Sequence, residues 1–329
     1  MTRPYRIIIV GFPPAQMLDI AGPVDVLSVA NSMAEMNGRS QPYEILLAGP
    51  RSGPLATTSG VPFYASHGVL DEALTGDTLL LSGGAGARAA VRDSELMAAL
   101  TALCSRVERV GSICTGAFPL AATGFLDHRR ATTHWAHFDE FGALFPQVEI
   151  DRDALFVNDG KYHSSAGISA GIDFTLALVE QDLGRQIALQ VARELVVFLK
   201  RPGGQSQFSA ELAAQMGAAE NDRFSEIIRW IGESLDGDLS VEKLAERAAM
   251  SPRNFARRFA EIVKTTPAQF VQLRRIDAAR QLLTDSDCPI GQIARLCGFP
   301  SADAMCLAFH RQLNVTPRDF RDRFRTAAG

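Results

Sequence analysis

The feature that most restricts the fold of this chain is a repeat within its C-terminal third. Apolar, serine and proline positions recur 49 residues apart at the start of the repeat and 50 residues apart in the rest. The matching pairs are Leu244 and Ile293, Ala245 and Ala294, Ser251 and Ser301, Phe255 and Met305, Phe259 and Phe309, Thr266 and Thr316, and Pro267 and Pro317. Each copy predicts a short helix, a tight turn and a second helix that Ser251 or Ser301 caps. Such a pair is a helix-turn-helix, whose second helix can enter the major groove of DNA.

Helical periodicity predicts which side chains of these helices are buried. Phe255, Phe259 and Ile262 recur at the spacing of one helix face, so we expect them to form a core. Residues 267–283 predict one longer helix that joins the two copies. Because no strand pattern occurs from Phe224 onward, this region is expected to be all-α.

The two copies resemble the DNA-binding domain of the AraC/XylS family of transcription activators. The resemblance rests on residues 244–251, 293–299, 309 and 314–321 and covers about the last 100 residues. It implies sequence-specific binding to double-stranded promoter or operator DNA. The charge distribution agrees, since residues 222–329 hold 17 Lys and Arg against 14 Asp and Glu while the whole chain carries −4.

The outward face of the first recognition helix predicts base contacts. If Phe255 and Phe259 point inward, then Arg253, Asn254 and Arg257 point outward. Arg253 and Arg257 are one helical turn apart, and arginine can bond guanine through O6 and N7 together. We therefore predict that this pair reads bases. The predicted phosphate contacts are Arg258, Lys264, Arg274 and Arg275.

The second recognition helix differs at the matching positions, which hold Asp303, Ala304 and Leu307. Phosphate repels a carboxylate, which can only accept a hydrogen bond, for example from cytosine N4. We therefore predict asymmetric readout. The first copy supplies most base recognition, and the second contributes shape and backbone contacts through His310 and Arg311.

The N-terminal two thirds alternate between strand and helix patterns. Short apolar runs at 6–11, 44–48, 78–81 and 107–113 predict strands, and residues 23–34, 93–106 and 171–182 predict helices. This alternation is typical of a parallel sheet covered by helices on both faces. The apolar segment 187–199 is expected to be a core or dimer-surface helix, since it is too short to span a membrane.

One strand runs directly into Cys114-Thr115-Gly116, which resembles a nucleophile elbow. A helix N-terminus behind Cys114 would lower the pKa of its thiol and expose the thiolate. The alternative is a structural cysteine, since free cysteines often behave as small buried hydrophobes. The motif by itself leaves both possibilities open.

More of this region resembles the ThiJ/PfpI branch of the class I glutamine amidotransferase-like superfamily. The resemblance spans residues 5–200 and rests on residues 18–27, 79–84, 114–117, 131–135 and 164–171. It implies a flavodoxin-like α/β/α sandwich in which Asp19, Gly83, Gly84, Cys114 and His134 surround one pocket. Protease-like members have a histidine directly after the cysteine, whereas this chain has Thr115, so Cys114 has no adjacent base.

The combination of both parts resembles the GlxA-like and AdpA-like regulators. We expect a sensing and dimerisation domain at 1–201, a turn-rich linker at 202–221 and a DNA-binding domain at 222–329. The effector site is expected at Asp19, Gly83, Gly84, Cys114, Thr115 and His134. A small amine or amino acid is a plausible effector only by analogy with the family. Cys114, His134 and Asp19 are candidates for a vestigial catalytic set, and we expect no enzyme activity, although residual chemistry at Cys114 stays open.

The other expected properties follow from the same reading. Five scattered cysteines favour a reducing cytosol, and Cys288, Cys297 and Cys306 recur at a spacing unlike that of a metal site. We expect no cofactor, no metal and no membrane contact, and we expect a homodimer that works with RNA polymerase. Two alternatives remain: a regulator that retains cysteine chemistry, and an enzyme with a helical appendage.

Overall fold

The computed structural model describes residues 3–71, 73–199, 205, 222–263, 265–313 and 315–324. The chain divides into two compact units, residues 1–205 and 206–329. Apart from Gln205, the predicted linker 202–221 lies outside the described residues, and so does the predicted phosphate contact Lys264. Within the described ranges, no helix is both long and apolar enough to cross a membrane.

The first unit is built on a sheet with strand order β10-β11-β7-β6-β1-β2-β5. The strands are β1 (Tyr5–Val10), β2 (Tyr43–Gly49), β5 (His67–Gly68), β6 (Thr78–Leu81), β7 (Arg109–Ile113), β10 (Phe156–Asp159) and β11 (Tyr162–Ser165). All neighbours pair in parallel except β10 and β11, which form an antiparallel hairpin at the edge. Two short pairs lie outside this sheet: β3 (Gly53–Leu55) with β4 (Phe63–Ala65), and β8 (Arg130–Ala131) with β9 (Glu149–Ile150).

The central strands are buried on both faces, which explains their continuous apolar runs. In β1, Ile8 and Val10 pack into one core while Ile7 and Ile9 pack into another on the opposite face. Helices cover both faces: α1 (Met17–Met36), α2 (Ala85–Ala90), α3 (Ser94–Arg106), α4 (Ala117–Ala122), α5 (Phe138–Leu144), α6 (Ala170–Leu183) and α7 (Arg185–Glu194). The predicted flavodoxin-like sandwich with a mainly parallel sheet is therefore confirmed.

Two helix boundaries differ from the prediction. Helix α1 begins at Met17, six residues before the predicted start, so that Pro23 lies inside the helix, and Asp19 and Ile20 in its first turns are buried. Helix α7 ends at Glu194, and Val196 follows with a φ of 56°, so the apolar segment 187–199 is not one helix. Its apolar residues Val196 and Phe198 are exposed instead.

The second unit consists of helices. They are α8 (Asp222–Glu233), α9 (Val241–Arg247), α10 (Pro252–Val263), α11 (Pro267–Asp285), α12 (Ile290–Leu296), α13 (Ala302–Leu313) and α14 (Pro317–Phe324). Helices α9 and α10 form the first helix-turn-helix, and α12 and α13 form the second with the predicted offsets of 49 and 50 residues. The all-α fold and the helix joining the two copies are confirmed.

Each helix-turn-helix has its own core. Phe224, Phe255 and Phe259 pack in the first, and Met305, Phe309 and Phe320 pack in the second. The buried residue that follows Phe259 is Val263, whereas the predicted Ile262 is only half-buried. Helix α11 contributes to both cores, with Phe270 in the first and Ile276 in the second.

The two turns share one backbone geometry. Ala249 has a φ of 52° and Gly298, its counterpart in the repeat, has a φ of 75°. Both residues therefore adopt the left-handed conformation that ends a helix sharply. The Ser251 and Ser301 hydroxyls accept hydrogen bonds from the amides of Asn254 (3.4 Å) and Ala304 (3.0 Å), as predicted for helix caps.

Candidate functional site

The first candidate site lies where three parallel strands end. Residue Asp19 follows β1, Gly83 follows β6 and Cys114 follows β7. The chain leaves β1 toward β2 on one side and later returns to β6 on the other side, so the sheet changes its winding direction between β1 and β6. Ligand sites of open α/β sheets lie at the carboxyl ends of strands at such a switch point.

Cys114 is placed by a tight turn that leads from β7 into helix α4. Its φ is 57°, a strained conformation for a residue other than glycine. Gly167, with a φ of 89°, packs directly against Cys114, and a side chain at 167 would overlap the Cys114 Cβ. Gly83 is similarly close, because a Cβ there would lie 2.7 Å from the Cys114 Cβ. The elbow expected for Cys114-Thr115-Gly116 is therefore present.

Asp19 is fully buried and held by backbone amides. Its Oδ2 accepts from the Gly83 N–H at 2.9 Å and its Oδ1 accepts from the Ile168 N–H at 2.7 Å. The Cys114 thiol also donates a hydrogen bond to this carboxyl group. Burial raises the pKa of Asp19 to about 6, and the three hydrogen bonds oppose that shift.

The thiol of Cys114 is held in its protonated form. Burial is the largest cause that raises its pKa above the ordinary value, and the neighbouring Asp19 carboxylate raises it further. The prediction of a lowered thiol pKa is therefore wrong: the Thr115 backbone amide at the start of the turn acts to lower the pKa, but burial and Asp19 outweigh it. The physical reason is that Cys114 is only 7% exposed and faces a carboxyl group, so an anion there is poorly solvated and repelled.

Thr115 and Thr133 fix the backbone around the elbow. The Thr115 hydroxyl donates to the Gly84 carbonyl and accepts from the Gly84 amide, both at 2.9 Å. The Thr133 hydroxyl donates to the Cys114 carbonyl at 2.9 Å. Thr115 thus holds in place the loop that follows β6, and its hydroxyl cannot act as a general base for Cys114.

His134 adjoins this network but does not bond the thiol. Its Nδ1 accepts from the Ala136 N–H at 3.3 Å, and burial followed by the nearby His137 lowers its pKa. Its ring lies 5.4 Å from that of the exposed Trp135. Within the described ranges, no hydrogen bond joins the His134 imidazole to Cys114, so the geometry gives the cysteine no general base.

Sequence reasoning missed Gln205, which it assigned to the linker. Gln205 is buried in the first unit, where its Nε2 donates to Thr132 Oγ1 (2.8 Å) and to the Ala154 carbonyl (2.9 Å). Its backbone N–H donates to the Asp153 carbonyl at 2.7 Å. Thr132 is adjacent to Thr133, whose hydroxyl bonds the Cys114 carbonyl. Two consecutive residues, Thr132 and Thr133, therefore connect Gln205 to the Cys114 peptide. Nothing in the local sequence signals this burial, because its partners lie more than 50 residues away.

The second candidate site is the outward face of α10. Arg253, Asn254, Arg257 and Arg258 are all exposed, while Phe255 and Phe259 are buried. The Arg257 guanidinium donates to Asn254 Oδ1 at 3.1 Å and pairs with Glu261 at 2.7 Å. These contacts hold Arg257 along the helix surface, one turn from Arg253.

The matching face of α13 carries little positive charge. Asp303, Leu307, His310 and Arg311 are exposed, and Ala304 is half-buried.

The joining helix α11 carries two of the predicted phosphate contacts, and the first of them, Arg274, is half-buried. Arg275 donates to the carbonyls of Leu235 (3.0 Å) and Gly237 (3.1 Å), so its guanidinium ties α11 to the end of α8. This contact is structural, and the predicted phosphate contact of Arg275 stays a prediction.

Clusters of three or more residues suited to binding a metal ion do not occur in the part of the chain that the structure describes. Its cysteines, including Cys288, Cys297 and Cys306, are free thiols.

Comparison with known proteins matches both units. Residues 5–181 match the DJ-1/PfpI family, and residues 244–323 match a helix-turn-helix domain family. The HTH-type transcriptional regulator CdhR of Pseudomonas aeruginosa is 30% identical over 309 residues, which cover 94% of this chain and 89% of CdhR. Isonitrile hydratase of Pseudomonas putida is 30% identical over 184 residues, which cover 56% of this chain and 75% of the hydratase. The crystal structure of a ThiJ/PfpI family protein from Pseudomonas syringae has the same fold, with a TM-score of 0.53 and 22% identity over 61% of this chain and 78% of that one.

Proposed function

Because this chain belongs to the DJ-1/PfpI family and carries the AraC-type helix-turn-helix domain of HTH-type transcriptional regulators, we propose that it is a ligand-responsive regulator whose effector site surrounds Cys114. Both sequence resemblances are thereby confirmed. The observation that carries the proposal is that one chain contains both two helix-turn-helix copies and a Cys114 elbow like that of enzymes with a nucleophilic residue on such a turn. In this proposal the helices bind operator DNA and the elbow site binds a small molecule.

DNA reading is assigned mainly to α10. Its exposed Arg253 and Arg257 can each donate two hydrogen bonds to guanine O6 and N7. Glu261 orients Arg257 in the free protein, and its carboxylate would also repel phosphate, which favours placing this face against base edges. Arg258 and Arg274 are the proposed phosphate contacts within the described residues, and Lys264 remains a sequence-based proposal.

The Cys114 site is assigned to binding and not to turnover. A nucleophilic thiol needs either a lowered pKa or a base within hydrogen-bond reach. Here the pKa of the thiol is raised and His134 bonds the Ala136 amide. A protonated thiol, the Asp19 carboxyl and the Thr115 hydroxyl suit the recognition of a small polar effector, with Gly83, Gly84 and His134 at the margin of the site.

Gln205 is the proposed connection between this site and the linker. The contacts run from the Cys114 carbonyl to Thr133, along the chain to Thr132, and from Thr132 Oγ1 to Gln205. A ligand that displaces the Cys114 peptide would alter the support of Gln205, which directly precedes the chain leading to the DNA-binding domain. We also propose that the protein acts in the cytosol as a homodimer on paired half-sites and contacts RNA polymerase there.

The test of the proposed function is selection of DNA from a random pool by the full chain, read by sequencing. We expect one enriched motif, and we expect the variant Arg253→Ala/Arg257→Ala to lose it while keeping weak, salt-sensitive binding. Enrichment of no sequence by the wild-type chain, at low or moderate salt, would exclude the regulator.

A second candidate function is hydration of a small substrate at Cys114. The observation that favours it is the closeness of the Cys114 and Asp19 side chains, both of which adjoin Gly83, together with the raised pKa of Asp19 of about 6, which lets its carboxyl group exchange a proton near neutral pH. On an isonitrile, the sulfur would bond to the isonitrile carbon, which gains a proton, and one water would then release an N-substituted formamide and restore the thiol. Formamide production from an alkyl isonitrile that Cys114→Ser abolishes would support this function, and no product from the wild-type chain would exclude it.

A further inference from the structure

The second recognition helix, α13, carries one exposed apolar side chain, Leu307, on its outward face, with the half-buried Ala304 one turn before it. The repeat places Ala304, Leu307 and Arg311 where α10 has Asn254, Arg257 and Glu261. In α10, Arg257 is hydrogen-bonded to Asn254 and Glu261, and none of these three residues is kept in α13. The first two are replaced by apolar side chains, so α13 cannot reproduce the guanine contacts proposed for α10.

The core contacts of α13 determine the direction in which Leu307 points. Met305 and Phe309 are fully buried in the second core. Leu307 lies two residues from each of them, which is about 200° around a helix of 3.6 residues per turn. Leu307 is accordingly 53% exposed, on the side of α13 that faces away from the protein.

The chemistry of this face fits one group in the major groove. Of the four bases, only thymine presents a methyl group there, at C5, beside its O4 acceptor. Leu307 and Ala304, one turn apart, can contact methyl groups but cannot donate or accept a hydrogen bond. The neighbouring Asp303 carboxylate can accept from cytosine N4.

We propose that α13 reads thymine in the second half of the operator through Leu307 and Ala304. The inference rests on the proposed function, and it adds base recognition to a helix for which the sequence predicted only shape and backbone contacts. The positively charged Arg311 follows Leu307 by one turn and is exposed.

The test replaces thymine by deoxyuridine, which removes only the C5 methyl group. Arg257→Ala, titrated against operators with single base-pair changes, first identifies the half that α10 reads, because this variant no longer distinguishes the base pair that Arg257 contacts. Each thymine in the other half is then replaced singly, and the full chain is titrated against each duplex. Loss of one contacted methyl should weaken binding about fourfold, the ratio that corresponds to about 0.8 kcal/mol for one buried methylene.

Leu307→Ala provides the second arm of the experiment. This variant should bind the thymine operator more weakly than the wild-type chain, and it should no longer distinguish thymine from deoxyuridine. Leu296→Ala is the matched control, because Leu296 is similarly exposed at 51% but lies on α12, outside the recognition helix. It should keep the full thymine preference.

Two outcomes would overturn the inference. One is equal binding of the thymine and deoxyuridine duplexes by the wild-type chain. The other is a Leu307→Ala variant that retains the thymine preference while losing affinity on all duplexes. Either result leaves the proposed function intact as long as a selected operator exists, whereas absence of any specific binding refutes the proposed function itself.

Discussion

Cys114 combines a strained backbone with a protonated side chain. Its left-handed φ of 57° places the thiol beside the buried Asp19 carboxyl group, and the glycines at 83 and 167 make room for that approach. Strained residues of this kind persist where the surrounding structure holds them, and they are frequent at ligand sites. The conformation therefore supports the proposal that Cys114 belongs to the effector site, although its thiol is not activated.

His163 makes the stability of the first unit sensitive to acid. Burial is the largest cause that lowers its pKa to about 4, and the charge of Arg109 lowers it further while Asp182 opposes the shift. Between about pH 6.5 and 4 the unfolded chain binds a proton that the folded chain does not bind. The free energy of unfolding contributed by His163 therefore falls as the pH falls through this window, by about 3 kcal/mol in total.

We predict that His163→Phe removes this contribution. Urea unfolding of the full chain between pH 7 and 4 should show a smaller loss of stability than in the wild-type chain. Asp19, with its pKa raised to about 6, acts in the opposite direction below that pH and is present in both proteins. The exposed His128→Gln serves as the control for removing a histidine from the same unit. Identical pH slopes for wild-type and His163→Phe would contradict the assignment.

Among the structural elements, the segment at Gln205 contributes a tertiary contact. The Gln205 amide has two hydrogen-bond acceptors in the first unit and is 3% exposed. We predict that Gln205→Ala lowers the free energy of unfolding by about 1–3 kcal/mol, because it leaves buried acceptors without their donor. The exposed Gln181 of α6 provides the matched control, and Gln181→Ala should change stability little.

A double-mutant cycle isolates the Gln205–Thr132 hydrogen bond. Thr132→Val keeps the side-chain shape but removes the hydroxyl group that accepts from Gln205. We expect the two changes together to cost less than the sum of the single costs, by about 0.5–3 kcal/mol. The free energies of unfolding would be measured by urea unfolding of the full chain. Strictly additive losses in the double variant would show that Gln205 and Thr132 are not coupled.

Elements with a strong local signal were predictable from the sequence. The strand Thr78–Leu81 and the four helices of the two helix-turn-helix copies follow from short buried runs and from capping residues next to tight turns. The end of α7 was not predictable, since the apolar pattern continues through Val196, where the backbone turns. The burial of Gln205 and the contacts of Arg275 depend on distant partners, which no local pattern contains.

The candidate site shows the same division. Asp19, Gly83 and Cys114 meet as the family resemblance implied, because the ends of three parallel strands bring them together. The direction of the thiol pKa shift was not predictable, since it depends on how deeply Cys114 is buried and on the closeness of Asp19. Both quantities exist only in the folded structure.

The whole molecule joins two units with opposite charge balance, and DNA recognition belongs to the basic one. The two helix-turn-helix copies have the same backbone geometry at their turns, but their recognition helices expose different side chains. Helix α10 exposes arginines, and α13 exposes Asp303, Leu307 and Arg311. This division predicts that the two halves of the operator differ in sequence and respond to different variants.

The measurement that tests this account most directly compares the affinity of the full chain for the selected operator and for a scrambled duplex over a range of salt concentrations. Arg257→Ala should lower the ratio of the two affinities by about 5- to 150-fold, as expected for one bidentate guanine contact. Arg258→Ala should weaken both affinities alike and reduce the salt slope by about 0.9, as expected for one phosphate contact. Equal losses on both duplexes for Arg257→Ala would contradict the claim that α10 reads bases.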